Sequence, residues 1–290
     1  MSEFDSPEVA VIPAAGKGTR FLPSTKATPK ELHPLLNNPL LHHSLKELKE
    51  AGVKEVILVN HREKKGLNKY FEPHVELKNS VGDKPDLVEA LESIEALPKV
   101  TFVYQKEQKG LAHAIYCAKD ELNGRDFFVL LPDEIFIPES IDENPSKALS
   151  ENFKVFGKSV ISLLEVPMEK VSSYGVAKFE TTGDQLKILD LVEKPKASEA
   201  PSNMILPGRY LFDNHILEWI EKTAPRNGEV QLTDAMVLMS KDIGLNGLVT
   251  KCPRFDGGSV LGFLKANVFA ALKDEKISND FRDFLNEVIK

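Results

Sequence analysis

The chain has 290 residues, of which 42% are hydrophobic and 28% are charged, and 37 Lys and Arg against 44 Asp and Glu give a formal net charge of -7. This length supplies a sizeable core for one large or two small domains, and the acidic balance disfavours a broad surface for nucleic acid or for an anionic membrane. Its two cysteines, Cys117 and Cys252, exclude a disulfide framework and a cysteine-held metal. With no signal-peptide core or membrane span in view, we expect a cytoplasmic protein with no nucleic acid polymer and no membrane as partner.

The first half of the chain alternates short apolar runs with segments of helical spacing. Strands are predicted at residues 9–12, 56–59, 100–104 and 127–131. Helices are predicted at residues 40–51, 84–97 and 111–122, each closed by a glycine or a proline. Strands that alternate with helices favour a parallel sheet with helices on its faces.

The second half of the chain has a different pattern of predicted strands and turns. Strands are predicted at residues 160–166, 176–179, 186–192 and 205–212, joined by Gly, Ser and Thr turns, and helices at 215–222, 231–240, 260–272 and 278–289. Such turns indicate antiparallel strands added over the substrate end of the sheet. With no repeats, low-complexity tract or flexible linker, we predict one α/β domain over 1–290, with a Rossmann-like mixed, mainly parallel sheet flanked by helices.

The segment 14–34, which directly follows the first strand, is the most informative one. It places Gly16 and Gly18 beside Arg20, Lys26 and Lys30. Glycines let backbone N–H groups approach phosphate oxygens, and fixed cations offset phosphate charge, so the segment predicts a cradle for a nucleoside triphosphate. The alternative is an irregular surface loop with scattered, solvated charge.

The spacing in this loop excludes two common phosphate-binding motifs. A P-loop ends in Gly-Lys-Ser/Thr, and a Rossmann fingerprint needs a third small residue, whereas Phe21 stands at that place here. Pro23 and Pro29 argue against a helix that begins at once, and they predict a long, extended loop.

Written as G-x-G-T-R-F-x-P-x-T-K-x-x-P-K-E, this loop resembles that of the sugar-phosphate nucleotidyltransferases, most closely the bacterial UTP–glucose-1-phosphate uridylyltransferases. Further motifs of that family follow in the same order: Q-K-E at 105–107, G-L-A-H-A at 110–114, L-P-D at 131–133, Y-G at 174–175, V-E-K-P-K at 192–196, A-P-S-N at 200–203, G-R-Y at 208–210, G-E-V-Q-L-T-D at 228–234, and Asp256 with L-G at 261–262. The resemblance spans nearly the whole chain.

The resemblance implies transfer of a uridylyl group from UTP to glucose 1-phosphate, with UDP-glucose and pyrophosphate as products and Mg²⁺ as cofactor. It also implies a homodimer or homotetramer. It divides the domain into a nucleotide-binding part at about 8–135, a sugar-binding part at about 158–262, over which the added antiparallel strands lie, and C-terminal helices at about 260–290.

The reaction requires alignment and charge neutralisation rather than a strong base, because the attacking phosphate oxygen is already ionised near neutral pH. Arg20 and Lys30 are the predicted catalytic cations for the triphosphate and the departing pyrophosphate, with Lys26 a weaker candidate. The predicted nucleotide-binding backbone comprises Ala14, Ala15, Gly16, Gly18 and Thr19.

A metal site is predicted from two acids. Asp133 follows the strand at 127–131 and should lie at the carboxyl end of the sheet, where open α/β folds bind ligands. Mg²⁺ held by one or two carboxylates and phosphate oxygens needs a second acid, and Asp256 matches the family's second aspartate. Asp133 could instead be a turn or helix-cap residue.

Sugar binding is assigned by resemblance. Glu193 accepts hydrogen bonds from sugar hydroxyls, Lys194 meets the sugar phosphate as the third catalytic cation, Gly175 permits close approach of the sugar, and Glu229 reaches sugar hydroxyls. An exposed Glu–Lys pair in a turn remains an alternative for 193–194, and capping of the next helix remains one for Glu229.

Gln105 and Gly110 are predicted to bind the base. A glutamine amide can donate and accept at once on a uracil edge, and a glycine leaves room for the flat ring. Gln105 could also be an ordinary polar loop residue. His42, His43 and His113 fall in predicted helices, where we expect packing or surface roles.

The sequence departs from its family near Asp256. Uridylyltransferases of this group carry Asp-x-Gly-Asp/Asn-Lys-Leu-Gly there, whereas Ser259 and Val260 replace the Asp or Asn and the Lys in this chain. The loss of a cation leaves two alternatives open. One is a related enzyme with another base or sugar, and the other is a weakly catalytic, regulatory protein that binds a nucleotide sugar.

Overall fold

The computed structural model describes residues 4–82, 84–183 and 185–289. Within these residues the strands, in chain order, are β1 (Val9–Pro13), β2 (Pro34–Leu35), β3 (Asn38–Pro39), β4 (Glu55–Asn60), β5 (Lys99–Tyr104), β6 (Phe127–Leu130), β7 (Glu134–Phe136), β8 (Val160–Glu165), β9 (Gly175–Thr182), β10 (Gln185–Glu193), β11 (Met204–Ile205), β12 (Arg209–Phe212), β13 (Asn246–Val249) and β14 (Arg254–Asp256).

The helices described are α1 (Leu40–Glu50), α2 (Lys65–Phe71), α3 (Val75–Val81), α4 (Pro85–Glu95), α5 (Leu111–Tyr116), α6 (Lys119–Leu122), α7 (Pro145–Phe156), α8 (Ile216–Lys222), α9 (Leu232–Asp242), α10 (Val260–Lys273) and α11 (Ser278–Val288). None of the helices in the described residues is long and apolar enough to cross a membrane.

One sheet organises the described chain, with the strand order β11-β9-β10-β13-β8-β12-β6-β1-β4-β5. In β1, Val9 and Val11 pack into one buried cluster, and Ala10 and Ile12 pack into another. Both faces of this strand are therefore covered, which is why its sequence is a continuous apolar run rather than an alternating one. β1 pairs in parallel with β4 and β6, and β4 pairs in parallel with β5.

The strands of the second half extend the same sheet. β12 pairs antiparallel with β6 and β8, and β10 pairs antiparallel with β9 and β13. The mixed α/β architecture is confirmed, but parallel pairing dominates only in the first half. The added strands continue the sheet edgewise beyond β6, and they do not form a separate layer over it.

Two predicted elements are interrupted. The helix predicted at 111–122 divides into α5 and α6, because the Ala118 N–H bonds back to Ile115, three residues away, and tightens the turn between them. The strand predicted at 205–212 divides into β11 and β12, because Gly208 has a φ of 79°, which an extended strand does not allow.

A small second sheet joins distant parts of the chain. β14 pairs antiparallel with β7, which places Asp256 opposite Glu134. The sequence patterns did not predict either strand, since each has three residues and the partners are more than a hundred residues apart. This pairing brings the late aspartate to the end of β6.

Candidate active site

The predicted phosphate loop is compact rather than extended. Three single turns of 3₁₀-helix occupy it, at Thr19–Phe21, Ser24–Lys26 and Lys30–Leu32. Gly18 has a φ of 65°, and its carbonyl oxygen accepts a hydrogen bond of 2.8 Å from the Thr25 hydroxyl. Prolines 23 and 29 do prevent an α-helix, but they precede short turns that fold the loop back on itself.

A buried ion pair holds the ends of this loop together. The Lys64 ammonium donates to both oxygens of Glu31, at 2.9 and 2.7 Å, and to the Ala14 carbonyl oxygen at 2.6 Å. Only 1% of the Glu31 side chain is exposed. Burial lowers the pKa of Lys64 below its ordinary value, although Glu31 opposes that change. No sequence motif singled out Lys64.

Lys30 contacts the predicted metal ligand Asp133. Its ammonium donates to Oδ2 of Asp133. Burial lowers the pKa of Lys30, but the charges of Asp133 and Glu31 outweigh it, so the pKa lies above its ordinary value. Burial likewise raises the pKa of Asp133, and the Lys30 charge and hydrogen bond reverse that effect and lower it. The pair is therefore a cation and a carboxylate.

The two predicted metal ligands converge at Gly258. A Cβ built on Gly258 would lie 3.0 Å from Oδ2 of Asp133 and 3.1 Å from Oδ1 of Asp256. Arg20 lies on the same side, with Nη1 3.9 Å from Oδ2 of Asp256 and 68% of its side chain exposed. The site thus places two carboxylates beside two cations. Lys30 is held in contact with Asp133, and the exposed Arg20 is free to reach a ligand.

This carboxylate pair fits a hard divalent cation such as Mg²⁺. Mg²⁺ in proteins commonly takes one or two carboxylates and completes its octahedron with water and substrate phosphate oxygens. Within residues 4–82, 84–183 and 185–289, no three His, Cys, Asp or Glu side chains form a metal-binding group. A metal at Asp133 and Asp256 would therefore depend on phosphate and water oxygens for its other ligands.

Several predicted residues of the nucleotide half line one cleft of about 280 Å³, namely Ala15, Gly16, Lys30, Gln105, Gly110 and Asp133. Glu229, which was predicted to bind the sugar, lines the same cleft. Gly110 has a φ of 93°, and a Cβ there would lie 2.9 Å from the Val230 carbonyl oxygen, so the position admits little but glycine. Ala14 is buried under the loop, and Thr19 is exposed in its first turn.

Gln105 differs from its prediction in one respect. It is 4% exposed, and its Nε2 lies 3.2 Å from the Gly110 carbonyl oxygen and 2.9 Å from Nδ1 of His113. Protein acceptors therefore occupy both N–H bonds, so the amide does not also donate to a base. His113, for which a packing or surface role was predicted, contacts the predicted base-binding residue Gln105.

Three of the predicted sugar residues, Gly175, Glu193 and Lys194, lie on or next to the β9–β10 hairpin. Gly175 pairs with Glu193, and a Cβ on Gly175 would lie 3.3 Å from Oε2 of Glu193. Lys194 follows with a φ of 48°, an exposed side chain, and its Nζ 3.7 Å from Oε1 of Glu193. These residues do not line the nucleotide cleft. The lysine is free to reach an anion.

Buried contacts link the sugar hairpin to the carboxylate pair. The Lys194 N–H donates to the Tyr174 carbonyl oxygen at 3.0 Å, and the Arg254 guanidinium donates to the Tyr174 hydroxyl at 2.8 Å. Arg254 also binds the Glu134 carboxylate, next to Asp133. Burial raises the pKa of Glu134 to about 7, and Arg254 offsets part of that rise. Neither Glu134 nor Arg254 was among the predicted site residues.

The departure at residues 259–260 has a partial structural explanation. Ser259 is the N-cap of α10, and its hydroxyl accepts a hydrogen bond of 3.2 Å from the Gly262 N–H. Ser, Asp and Asn are all good N-caps, so serine retains that function of the family residue. Val260 is 54% exposed, so a longer cation at that position would reach solvent.

The chain is similar to known proteins over nearly its whole length. Residues 9–271 match the family model described as nucleotidyl transferase. A Staphylococcus haemolyticus protein named UTP–glucose-1-phosphate uridylyltransferase is 38% identical over 284 residues, which cover 96% of this chain and 97% of that protein. A Haemophilus influenzae protein of the same name is 36% identical, with coverage of 97% and 99%. A UTP-bound structure described as UGPase from Acinetobacter baumannii superposes with a TM-score of 0.88 and 32% identity, covering 97% of this chain and 99% of that one.

Proposed function

The chain belongs to the nucleotidyl transferase family, as an enzyme of its UTP–glucose-1-phosphate uridylyltransferase group, and we propose that it transfers a uridylyl group from UTP to glucose 1-phosphate in a Mg²⁺-dependent reaction. The cleft between the phosphate loop and the carboxylate pair carries this proposal. It gathers glycines, a cation and a carboxylate, which are the groups that would contact a triphosphate and its metal. UDP-glucose and pyrophosphate are the products.

The chemistry follows from the charges in the site. An ionised phosphate oxygen of glucose 1-phosphate attacks the α-phosphorus of UTP, a new P–O bond forms, and the bond to the β-phosphate oxygen breaks as pyrophosphate leaves. No proton has to be removed from the nucleophile, so alignment and neutralisation of charge provide the catalysis. Lys30 and Arg20 neutralise the triphosphate in this scheme.

The sugar phosphate binds on the other side of the α-phosphate in this proposal. Lys194, exposed beside Glu193, meets its charge, and Glu193 and Glu229 accept hydrogen bonds from sugar hydroxyls. Asp133 and Asp256 would hold the Mg²⁺, which, when bound, screens the phosphate charges that the two substrates bring together. A cytoplasmic location and a homodimer or homotetramer complete the proposal, supported by the resemblance and by two free cysteines.

A matrix of substrates tests the proposal. Pyrophosphate release is measured for UTP, thymidine triphosphate and CTP, each combined with glucose 1-phosphate and other sugar 1-phosphates, with and without Mg²⁺. We expect the highest kcat/KM for UTP with glucose 1-phosphate, and turnover that requires Mg²⁺. A clear preference for another base or sugar would replace the substrate assignment, and binding of UDP-glucose without turnover would favour a regulatory protein.

A further inference from the structure

A histidine next to the predicted base-binding residue Gln105 has no part in the proposed reaction. His113 lies in α5, one turn after Gly110, and its Nδ1 is 2.9 Å from Nε2 of Gln105. The same Nε2 is 3.2 Å from the Gly110 carbonyl oxygen. Gln105 and Gly110 both line the nucleotide cleft. His113 therefore influences which atom of the Gln105 amide faces a base in the cleft.

The Gly110 carbonyl determines the orientation of the Gln105 amide. A carbonyl oxygen only accepts, so the atom of Gln105 that faces it must be the donor nitrogen. Nε2 has two hydrogens, and Gly110 and His113 provide an acceptor for each. Among the residues that the structure describes, Oε1 of Gln105 has no hydrogen-bond donor. The carbonyl oxygen is thus the one polar group that this side chain offers a ligand.

This arrangement requires a neutral imidazole at His113. Nδ1 accepts only when the ring carries its single hydrogen on Nε2. Burial lowers the pKa of His113, the charge of Lys109 lowers it further, and Glu107 raises it by less. The neutral form therefore dominates near pH 7, as the hydrogen bond demands.

We propose that His113 is a specificity-determining positioning residue, which holds the Gln105 carbonyl oxygen toward the base and so selects pyrimidine triphosphates that carry a hydrogen on N3. Uracil and thymine have an N3–H donor at neutral pH. The N3 atom of cytosine carries a lone pair, which would face the carbonyl oxygen and leave both acceptors unpaired. The inference rests on the proposed function, because it takes the base to lie between Gln105 and Gly110.

Two variants with the same branching test the role of His113. Leu and Asn both branch at Cγ, but only Asn keeps an acceptor for Nε2 of Gln105. We expect the ratio of kcat/KM for UTP to kcat/KM for CTP to fall by about tenfold in His113→Leu. His113→Asn should retain the wild-type ratio within about threefold. A merely structural histidine would lower both rates together and leave their ratio unchanged.

The wild-type protein provides a test that needs no variant. 3-Methyluridine triphosphate replaces the N3 hydrogen with a methyl group, and its kcat/KM should be at least about tenfold below that of UTP. Equal use of the two nucleotides, or a His113→Leu protein with the wild-type ratio, would overturn the inference.

The two proposals fail in different ways. If the wild type prefers thymidine triphosphate to UTP, the uridylyl assignment fails and the inference stands, because both bases carry N3–H. If CTP serves as well as UTP, the inference fails and the uridylyl activity stands.

Discussion

Replacement of Lys64 by methionine should destabilise the fold severely. The ammonium donates to Ala14 and to both oxygens of Glu31, and the Glu31 side chain is 1% exposed. Without Lys64, the Glu31 carboxylate stays buried with no ion-pair partner within 4 Å among the residues that the structure describes. Removal of one partner of a buried ion pair costs about 3–5 kcal/mol, a large part of the 5–15 kcal/mol that stabilises a typical domain.

Urea unfolding at pH 7.5 measures this loss. Lys64→Met should lower the free energy of unfolding by about 3–5 kcal/mol, and the exposed neighbour Lys65→Met, which removes the same charge from the next residue, should stay within about 0.5 kcal/mol of the wild type. The double variant Lys64→Met, Glu31→Gln should recover at least about 1.5 kcal/mol relative to the sum of the single changes.

Kinetics separate the local role of this pair from global stability. Because Lys64 ties the start of the phosphate loop to residue 31, variants assayed well below their melting temperature should show a raised KM for UTP and a smaller change in the KM for glucose 1-phosphate. A Lys64→Met protein within 1 kcal/mol of the wild type, or additive single and double variants, would refute the reasoning.

Four further changes test the site and the fold. Asp133→Asn should reduce Mg²⁺-dependent turnover at least about a hundredfold, and near-normal turnover would remove Asp133 from the metal site. Lys194→Ala should raise the KM for sugar 1-phosphate at least about tenfold and the KM for UTP far less, whereas equal defects would contradict the assigned roles. Burial, with smaller effects of the His43 and Lys46 charges, lowers the pKa of His42 from 6.5 to about 4. The unfolded chain therefore binds the His42 proton first as the pH falls, and this group should contribute a loss of about 2 kcal/mol at pH 5 relative to pH above 6.5, measured as the difference in urea unfolding between the wild type and His42→Gln at the two pH values; an equal pH dependence of the two proteins would contradict it. Val260→Lys should leave the melting temperature nearly unchanged, because the side chain is half exposed, and raise uridylyltransferase efficiency up to about tenfold; lower stability without a kinetic gain would disprove a missing cation.

Local patterns predicted the parts of the fold that depend on local physics. The continuous apolar run at residues 9–12 predicted the strand β1, and Gly52 predicted the end of α1. The position of Asp133 just after β6 followed from the rule that parallel strands present their carboxyl ends to ligands. These inferences need only neighbours within one element.

The local patterns could not predict pairings between distant segments. β7 and β14 each have three residues, and nothing in either sequence specifies its partner. The family motifs identified Asp133 and Asp256 as metal ligands. Their convergence at Gly258 depends on the pairing of β7 with β14. Lys64 and His113 were missed for a similar reason, because a lone lysine or histidine has no periodicity, and its role depends on the atoms that the fold places beside it.

Two neighbouring residues of the phosphate loop have different roles: Glu31 stabilises the loop, and Lys30 faces the ligand cleft. Glu31 turns inward to Lys64, where 1% of its side chain is exposed, while Lys30 turns to Asp133, where the side chains are 17% and 23% exposed. An anion that enters the cleft can compete with Asp133 for Lys30, whereas the Lys64 ammonium already donates to both Glu31 oxygens and to the Ala14 carbonyl oxygen. A phosphate can therefore take Lys30 from Asp133 while Lys64 stays bound to Glu31, because opening that pair would leave the Glu31 carboxylate buried without the ammonium that binds it.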